Sequence, residues 1–462
     1  MKIKLRHSFI ITTILTFGAL NNIINAQSIS AVGNHSLFLC TGGTVQALGT
    51  NTYGQLGDGT TVNKATPILV PGLTGITSVA GGSHHSLFLK NDGTVWAVGQ
   101  NEVGQLGDGT IVNKSTPIQV SGLTGITAVA AGSFETFFLK NDGTVWSVGF
   151  NFYGELCDGT TINKSTPIQI PSLTGIIEVK GGGGQSLFLK NDGTVWAAGN
   201  NNSGQLGDGT TINRSIPAQI LGLSGIISVA GGFRHSLFLK NDGTVWAVGS
   251  NTYGQLGDGT NNSRYIPFQV IGLTGITSLS AGTYHSLFMK NDNTVWAAGF
   301  NGYGQLGDGT TDDKLTAVQI SGLTGIISIS AGQFHSLFLK NNGTVWATGL
   351  NGGGQLGDGT IVNKNTPVQV SGLCSVSLQT EENTLESAVV LYPNPCKSEL
   401  YIELDEYENS VAEIFNLQGQ LLQSISLQTS KSTLQIGHLR SGGYFVQVRC
   451  PKETIVKKIV KN

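Results

Sequence analysis

The sequence predicts an all-β protein, a seven-bladed β-propeller followed by a small immunoglobulin-like β-sandwich. A motif close to GQLGDGT recurs seven times at intervals of 50 residues, from Gly54 to Gly354. Such a period is typical of repeat architectures, in which each unit buries its apolar surface only against its neighbours. The composition agrees, because 66 glycines, 39% hydrophobic residues and only 12% charged residues are typical of strands and turns.

Four short apolar segments in each repeat predict four strands. In the second copy these segments are Ile76 to Ala80, Ser86 to Lys90, Thr94 to Val98 and Pro117 to Val120. The turn Asn91 to Gly93 joins the second and third segments and has the composition of a tight hairpin. The fourth segment opens with Pro in six copies. Because Pro lacks a ladder donor, we expect this strand at the outer edge of the blade.

The period distinguishes a propeller from a β-helix. A coil of a β-helix is much shorter than this repeat, whereas a four-stranded blade needs about forty to fifty residues. Seven copies therefore predict seven blades. Ile29 to Ala31 supplies an inner strand at the beginning, and the seventh copy ends with Val368 to Val370. We predict that the last blade combines strands from both ends of the propeller.

The two ends of the chain differ from the repeats. Residues 1–26 have the pattern of a secretory signal peptide, with basic Lys2, Lys4 and Arg6, an apolar run from Phe9 to Leu20 and the small Ala26. No stretch reaches the roughly 20 apolar residues that a transmembrane helix needs. After Leu373 the period stops. We predict a signal peptide at 1–26, a propeller at 27–378, a polar, acidic linker at 379–390 and a separate β-domain at 391–462.

Charge and cysteines exclude some classes of function. The formal net charge is -2 and no block of like charge occurs, so a nucleic acid partner is not expected. None of the cysteines has metal-ligand spacing, and Cys40 and Cys157 stand where the other copies have different residues. Cys396 and Cys450 share the C-terminal domain, and the sequence leaves open whether they form a disulfide.

Three repeated positions have structural interpretations. The first, before the second strand, holds His35, His85, His235, His285 and His335, with Glu135 and Gln185 in the third and fourth copies. We interpret it as a hydrogen bond to backbone between inner strands; a metal-binding ring is the less favoured alternative, because no second ligand type recurs beside it. The six Trp residues are interpreted as blade-packing residues. The Asp of GQLGDGT is interpreted as a turn residue, since the D-x-D-x-D-G calcium spacing is absent. No metal or cofactor is expected.

The repeats resemble a known family. The segment AGGSHHSLFLKNDGTVWAVG, from Ala80 to Gly99, and the GQLGDGT motif are similar to the repeats of the regulator of chromosome condensation family, in all seven copies. The resemblance implies a seven-bladed propeller. Activities in that family are diverse: the founding member is a nucleotide exchange factor for a nuclear GTPase, others are domains of larger eukaryotic proteins, and a secreted bacterial member inhibits β-lactamases. A fold does not transfer function across such a set.

The C-terminal domain carries a second resemblance. Short strands and turns predict a small β-sandwich there. LYPNP at Leu391 to Pro395, LRSGGYFVQV at Leu439 to Val448 and KKIVK at Lys457 to Lys461 are similar to the C-terminal sorting domain of type IX secretion cargo in the Bacteroidetes. The resemblance implies handling by the type IX secretion machinery, export across the outer membrane and removal of the domain. Release of the propeller and anchoring at the cell surface both remain open.

Two variable tips in each copy predict an interaction surface. One tip lies between the third strand and GQLGDGT, and the other precedes the His position. Aromatic side chains concentrate binding energy, and the third copy departs most from the repeat. The alternative is packing between neighbouring loops plus drift between copies. The candidate binding residues are Phe134, Phe150, Phe152, Tyr153, Phe233, Arg234, Tyr284, Phe300 and Phe334.

The sequence therefore favours a secreted or cell-surface module that binds a protein or a glycan and is not an enzyme. The alternative is a secreted hydrolase or lyase with its site on one propeller rim. Binding is favoured because no Ser/His/Asp order, phosphate loop or pair of carboxylates in a unique segment stands out. A nucleotide exchange role is disfavoured, because an exported bacterial protein does not meet a nuclear GTPase.

Overall fold

A computed structural model describes residues 26–374, 389–404, 408, 410–416, 421–449 and 454–462. The predicted signal peptide, apart from Ala26, and most of the predicted linker lie outside these residues. The chain divides into two compact units. The larger runs from Ile24 to Ser375, and the other contains the C-terminal residues from Val376 onward.

The larger unit contains seven antiparallel four-stranded sheets, each built from four consecutive strands, and we call them blades 1 to 7 in chain order. The inner strands are β1 (Ala26–Val32), β5 (Ile76–Gly81), β9 (Ile126–Ala131), β13 (Ile176–Gly181), β17 (Ile226–Gly231), β21 (Ile276–Ala281) and β25 (Ile326–Ala331). The second strands are β2 (His35–Cys40), β6 (His85–Lys90), β10 (Glu135–Lys140), β14 (Gln185–Lys190), β18 (His235–Lys240), β22 (His285–Lys290) and β26 (His335–Lys340). The third strands are β3 (Val45–Gly49), β7 (Val95–Gly99), β11 (Val145–Gly149), β15 (Val195–Gly199), β19 (Val245–Gly249), β23 (Val295–Gly299) and β27 (Val345–Gly349). The outer strands are β4 (Lys64–Leu69), β8 (Lys114–Gln119), β12 (Lys164–Gln169), β16 (Arg214–Gln219), β20 (Arg264–Gln269), β24 (Lys314–Gln319) and β28 (Lys364–Gln369).

Burial follows the position of a strand in its blade. The second strand β6 is buried along nearly its whole length, whereas the outer strand β8 is partly exposed. Pro117 lies in β8, which pairs only with β7, so the outer position predicted for the Pro-containing strand is confirmed. The seven inner strands together line a central channel of about 500 Å³. The predicted propeller is confirmed.

Neighbouring blades pack face to face. One apolar cluster joins Leu187 and Val195 of blade 4 to Val229 and Phe238 of blade 5, and Trp246 packs against it. Both faces of a blade are therefore covered, which explains why its strands are near-continuous apolar runs instead of alternating ones. The blade-packing role predicted for the Trp position is confirmed for Trp246.

The ring closes differently from the prediction. Blade 1 consists of β1 to β4 and blade 7 of β25 to β28, so the prediction of a last blade with strands from both ends is wrong. The reason is that the seventh copy has its own inner strand, and β1 therefore serves blade 1. Blades 1 and 7 instead meet through packing and hydrogen bonds, among them Gln333 N to Gly33 O at 2.9 Å and Ala31 N to Ser330 Oγ at 2.9 Å.

A disulfide joins the two ends of the ring. Cys40 of blade 1 is bonded to Cys374, 334 residues later, and the backbone N–H of Cys374 donates to Gln46 Oε1 at 2.7 Å. Lys and Trp occupy the positions of Cys40 and Gln46 in the other copies; in blade 6, for example, Lys290 Nζ lies 4.3 Å from the Trp296 ring centroid. The departures of the first copy from the repeat therefore form one closure contact.

Two other cysteines are free and buried. Cys396 Sγ donates to Val460 O at 3.2 Å; Cys450, with which the sequence left a disulfide open, lies outside the described residues. Cys157 has a φ of 63°, a conformation that favours the glycine found at this position in the other copies.

The C-terminal unit is a β-sandwich. One sheet contains β29 (Val389–Tyr392), β30 (Glu399–Leu404) and β33 (Lys431–Gln435). The other contains β31 (Val411–Asn416), β32 (Leu421–Ser426), β34 (Gly442–Arg449) and β35 (Thr454–Lys461). Burial alternates along β30, and Ile402 shares one apolar core with Ile414 and Val446 of the other sheet. The predicted small sandwich is confirmed.

The disulfide predicts a redox-dependent stability. Reduction, or the substitution Cys374→Thr, which introduces the residue found at this position in most copies, should lower the free energy of unfolding by about 2–4 kcal/mol, because an open chain has more conformational entropy when unfolded. Thermal unfolding with and without reductant measures the effect. Cys157→Gly is the matched control, and its melting temperature should not fall. Equal melting temperatures for oxidised wild type and Cys374→Thr would contradict the prediction.

Candidate binding rim

All nine predicted binding residues lie at the same end of the blades. The loops between first and second strands, and between third and outer strands, emerge at one end because consecutive strands are antiparallel. We call this end the candidate rim. Phe134, Phe233, Arg234, Tyr284 and Phe334 are in the first kind of loop. The second kind contains Phe150, Phe152, Tyr153 and Phe300.

The structure gathers the aromatic side chains of the candidate rim into two groups. Within each group the rings contact one another, with centroids between 5.0 and 6.5 Å apart. The first group contains Tyr53, His84, Phe134, Phe150, Phe152 and Tyr153. The second contains Phe233, Tyr253, Tyr284, Phe300, Tyr303 and Phe334, and the Arg234 guanidinium lies 5.5 Å from the Phe233 ring centroid.

Exposure differs within these groups. Phe152 is 64% exposed, whereas Phe134, Phe150 and Tyr153 are half-buried. Phe150 and Phe152 are stacked, with centroids 6.3 Å apart. Loop packing, the alternative stated above, thus accounts for part of the buried area of the half-buried rings. It does not account for the outward face of Phe152.

The His position binds a hydroxyl group of the next blade. His85 Nε2 is 3.0 Å from Thr136 Oγ1, and that hydroxyl donates its proton to the backbone oxygen of Gln105. The imidazole must therefore donate, so Nε2 carries the proton. Burial lowers the pKa of His85 to about 3, which keeps the ring neutral. The prediction of a hydrogen bond to backbone between inner strands is therefore wrong for His85, whose partner is a side-chain hydroxyl on the second strand of the next blade.

The third and fourth copies interrupt this pattern in different ways. Gln185 Nε2 donates to the backbone oxygens of Gly232 and His235, at 2.7 and 3.1 Å. This is the backbone bond predicted for the position. Glu135 cannot donate when ionised, and its Oε2 accepts only from the Phe134 N–H at 3.0 Å. Its Oε1 is buried without a partner.

A second buried carboxylate lies near Glu135. Glu155 replaces the Gln of GQLGDGT; its Oε2 accepts from Tyr153 N at 2.8 Å, and its Oε1 is buried without a partner. Burial raises the pKa of Glu155 to about 7. Burial, and then the charge of Glu155, raise the pKa of Glu135 well above its ordinary value. Both residues are departures from the repeat, but nothing in the sequence predicts that blade 3 brings them together.

These carboxylates line a cavity of about 340 Å³ on the candidate rim. Gly183 and Gly184 of blade 4 also line it. At the position of Gly184 most other copies have a large side chain, and a Cβ built there would lie 3.4 Å from Glu155 Oε1. Five predicted residues line the cavity, namely Phe134, Phe150, Tyr153, Phe233 and Arg234. The run Gly181 to Gly184 was the sequence signal for this opening, and it was missed.

The Asp of each GQLGDGT motif is a turn residue. Asp58 Oδ1 accepts from Thr60 N at 2.9 Å and from Asn51 Nδ2 at 3.0 Å, and Oδ2 lies 3.2 Å from Lys64 Nζ. The turn role predicted for this position is confirmed. Among the described residues no group of three His, Cys, Asp or Glu side chains is placed to hold a metal ion.

Family models match nearly the whole propeller. Models described as the regulator of chromosome condensation (RCC1) repeat match residues 42–89, 92–139 and 142–189, and, for a second model of that description, 26–55, 76–105 and 126–155. An RCC1-like domain model matches residues 185–385. The chain belongs to the regulator of chromosome condensation repeat family. The family resemblance of the repeats is confirmed.

The C-terminal unit matches a sorting domain. A model described as a secretion system C-terminal sorting domain covers residues 390–462. The protein is therefore exported through the type IX secretion system to the cell surface or the medium. In the part of the chain that the structure describes, no helix has the length and hydropathy to cross a bilayer.

Several solved structures share the propeller fold. Human WBSCR16 has 23% identity and a TM-score of 0.65, and the match covers 71% of this chain and 94% of that one. Prp20p from Saccharomyces cerevisiae has 22% identity and a TM-score of 0.65, with 73% and 88% covered. Yeast RCC1 (Prp20) from a complex with Kap60 has 22% identity and a TM-score of 0.65, with 80% and 92% covered. No curated protein matches the sequence.

The buried Glu155 predicts a specific pH effect. The pKa of the Glu155 side chain is 4.5 in the unfolded chain and about 7 in the folded protein. Between these pH values the folded state therefore binds more protons than the unfolded state. The contribution of Glu155 to stability therefore falls as pH rises through this window, by at most about 1.4 kcal/mol per unit, and is level above it. Glu155→Gln should remove this loss.

The measurement is the difference in free energy of unfolding between Glu155→Gln and wild type, from pH 4.5 to 8. Taking the difference is necessary because the buried histidines, whose pKa values are lowered, act in the opposite sense: they lose stability as pH falls below about 6.5. The difference should grow in favour of the variant up to about pH 7. Glu102→Gln, at the exposed edge of the same cavity, should show no such growth; a flat difference for Glu155→Gln would refute the prediction.

Proposed function

We propose that the protein is a secreted binding module that holds a protein or glycan partner through the candidate rim. The observation that carries this proposal is the concentration of aromatic side chains on that rim, on both sides of a cavity. Rigid aromatic rings lose little conformational entropy on binding and bury large areas. A closed ring of blades holds the loops in place, so the surface is largely pre-organised.

The matched families agree with this proposal without specifying a partner. They describe a repeat domain and a sorting domain, and no catalytic family is indicated. The structure of Prp20p is described together with its binding properties to Gsp1p and histones. We infer only that propellers of this family are suited to binding other macromolecules.

One observation favours the alternative of a secreted hydrolase. Glu135 and Glu155 are two carboxyl groups with raised pKa values beside a cavity, as acid and base pairs often are. Hydrolysis, however, needs one group to reach the scissile bond and a water beside the other. Each carboxyl group is fixed by a backbone N–H, and no catalytic family is indicated by the matched models, which favours a binding role.

The proposal predicts that rim substitutions abolish partner capture without unfolding the propeller. The tagged, exported protein is used to capture partners from the envelope and the culture medium of its own cells. Phe150→Ser with Phe152→Ser should weaken capture by about 30-fold or more, given losses of about 2 kcal/mol or more at an anchor. The melting temperature should change little for Phe152→Ser.

The control is a matched pair on the opposite rim. Leu221 and Ile271 follow the outer strands β16 and β20 and are 74% and 82% exposed. Leu221→Ser with Ile271→Ser removes comparable exposed apolar surface and should leave capture unchanged. If both double variants capture equally well, or if the Phe variants only lower the melting temperature, the candidate rim is not the binding surface.

A further inference from the structure

The cavity on the candidate rim has acceptor groups where its neighbours have donors. At the position of Glu155 the six other copies have Gln, whose Oε1 accepts from the backbone as Glu155 Oε2 does, for example Gln55 from Tyr53 N at 2.9 Å. Gln would direct an N–H₂ donor where Glu155 directs Oε1. At the position of Glu135 five copies have His, which donates. Both departures thus replace a donor with an oxygen that can accept or carry negative charge.

These two oxygens have no partner within the protein. Glu135 and Glu155 are both fully buried, and the Oε1 atom of each lacks a hydrogen bond. Both side chains line the cavity. Leaving a buried carboxylate oxygen unpaired costs free energy, because water no longer solvates it. A ligand that brings a positive charge and N–H donors would recover that loss.

The other walls of the cavity suit the same ligand. Phe134, Phe150, Tyr153 and Phe233 supply aromatic rings, and the faces of such rings attract organic cations while their carbons pack on an aliphatic stem. A hard metal ion would instead require several oxygen ligands and gain little from these rings. A volume of about 340 Å³ accepts one extended side chain and excludes a bulky segment of polypeptide.

We propose that this cavity binds the ammonium group of a lysine side chain presented by a partner protein, held between the aromatic rings and the Glu135 and Glu155 carboxylates. This inference rests on the proposed function and specifies the partner's chemistry at that rim. The remaining charged groups that line the cavity are Glu102 and Arg234, both exposed. The Arg234 guanidinium lies over the Phe233 ring at the edge of the cavity, where it makes a cation–π contact.

The first test needs no variant of the protein. Binding of the peptide acetyl-Ala-Lys-Ala-amide to the exported protein is compared with that of the same peptide acetylated on the lysine Nζ, by saturation-transfer NMR and calorimetry at pH 8. Acetylation keeps the aliphatic stem but removes the charge. We expect at least tenfold weaker binding of the acetylated peptide. Equal binding of the two peptides, or no binding of either, overturns the proposal.

The second test uses residues that the chain already employs at these positions. Glu155→Gln and Glu135→His give the third copy the side chains of its neighbours, so the blade should fold; a thermal melt checks this. Both variants should bind the lysine peptide at least tenfold more weakly than wild type, whereas Asp312→Asn, which neutralises an exposed carboxylate of blade 6 outside the cavity lining, should bind within threefold. For wild type, affinity should rise between pH 5 and 8 as Glu155, whose pKa burial raises to about 7, ionises. Unchanged affinity in both cavity variants refutes the proposal.

The two proposals fail in different ways. Partner capture by Glu135→His with Glu155→Gln is compared with capture by the Phe150 and Phe152 double variant. If capture depends on the Phe residues but not on the Glu residues, the rim binds a partner and the lysine pocket is wrong. If a neutral oligosaccharide binds the cavity and the lysine peptide does not, the ligand is a glycan, and again the lysine proposal falls while the binding rim stands.

Discussion

Face-to-face packing of neighbouring blades is the constraint on which this structure depends. Each blade covers the apolar face of the next, so Phe238 of blade 5 shares a cluster with Leu187 of blade 4, and the pattern continues to blade 7. The last interface has to be made by residues at the two ends of the propeller. Strand exchange is one way to secure that joint; here the disulfide between Cys40 and Cys374 secures it covalently. A disulfide forms and persists in the oxidising environment that an exported protein meets.

The same constraint explains where the copies differ. A side chain that faces a neighbouring blade contacts the same kind of surface seven times and has little freedom to change. Loop residues on the candidate rim contact solvent or one another, and they vary. Departures inside the packed region are therefore informative. Cys40 and Gln46 close the ring, whereas Glu135 and Glu155 have no structural partner that explains them. Gly184 removes a side chain beside them and opens the cavity.

The architecture could be predicted because its sequence signals recur in every copy. The cavity could not be predicted, because the residues that form it occur at only one place in the ring. Fifty-residue spacing, the hairpin at Gly93 and the Pro in β8 identify four strands per blade without knowledge of contacts. The prediction of how the ring closes was wrong because the sequence does not say whether β1 pairs within its own copy or with the last one. Both Glu155 and Gly184 are visible as departures, but they are 29 positions apart in the chain and meet only across a blade interface. To predict that Glu155 and Gly184 lie close together, one must know how blades 3 and 4 are aligned against each other.

Glu135 and Glu155 are two buried acids, each with one carboxyl oxygen unpaired, and burying such a group costs free energy. The Gln and His of other copies show that this fold accommodates neutral donors at both positions, for example Gln55 and His85. Drift alone would place costly changes anywhere in the packed interface, yet here two of them line one cavity together with Gly184. A local loss of stability that coincides with an accessible cavity and aromatic walls is typical of a site shaped for binding. Because each carboxylate is already oriented by a backbone N–H, at Phe134 and Tyr153, a cationic ligand would meet charges that need little rearrangement.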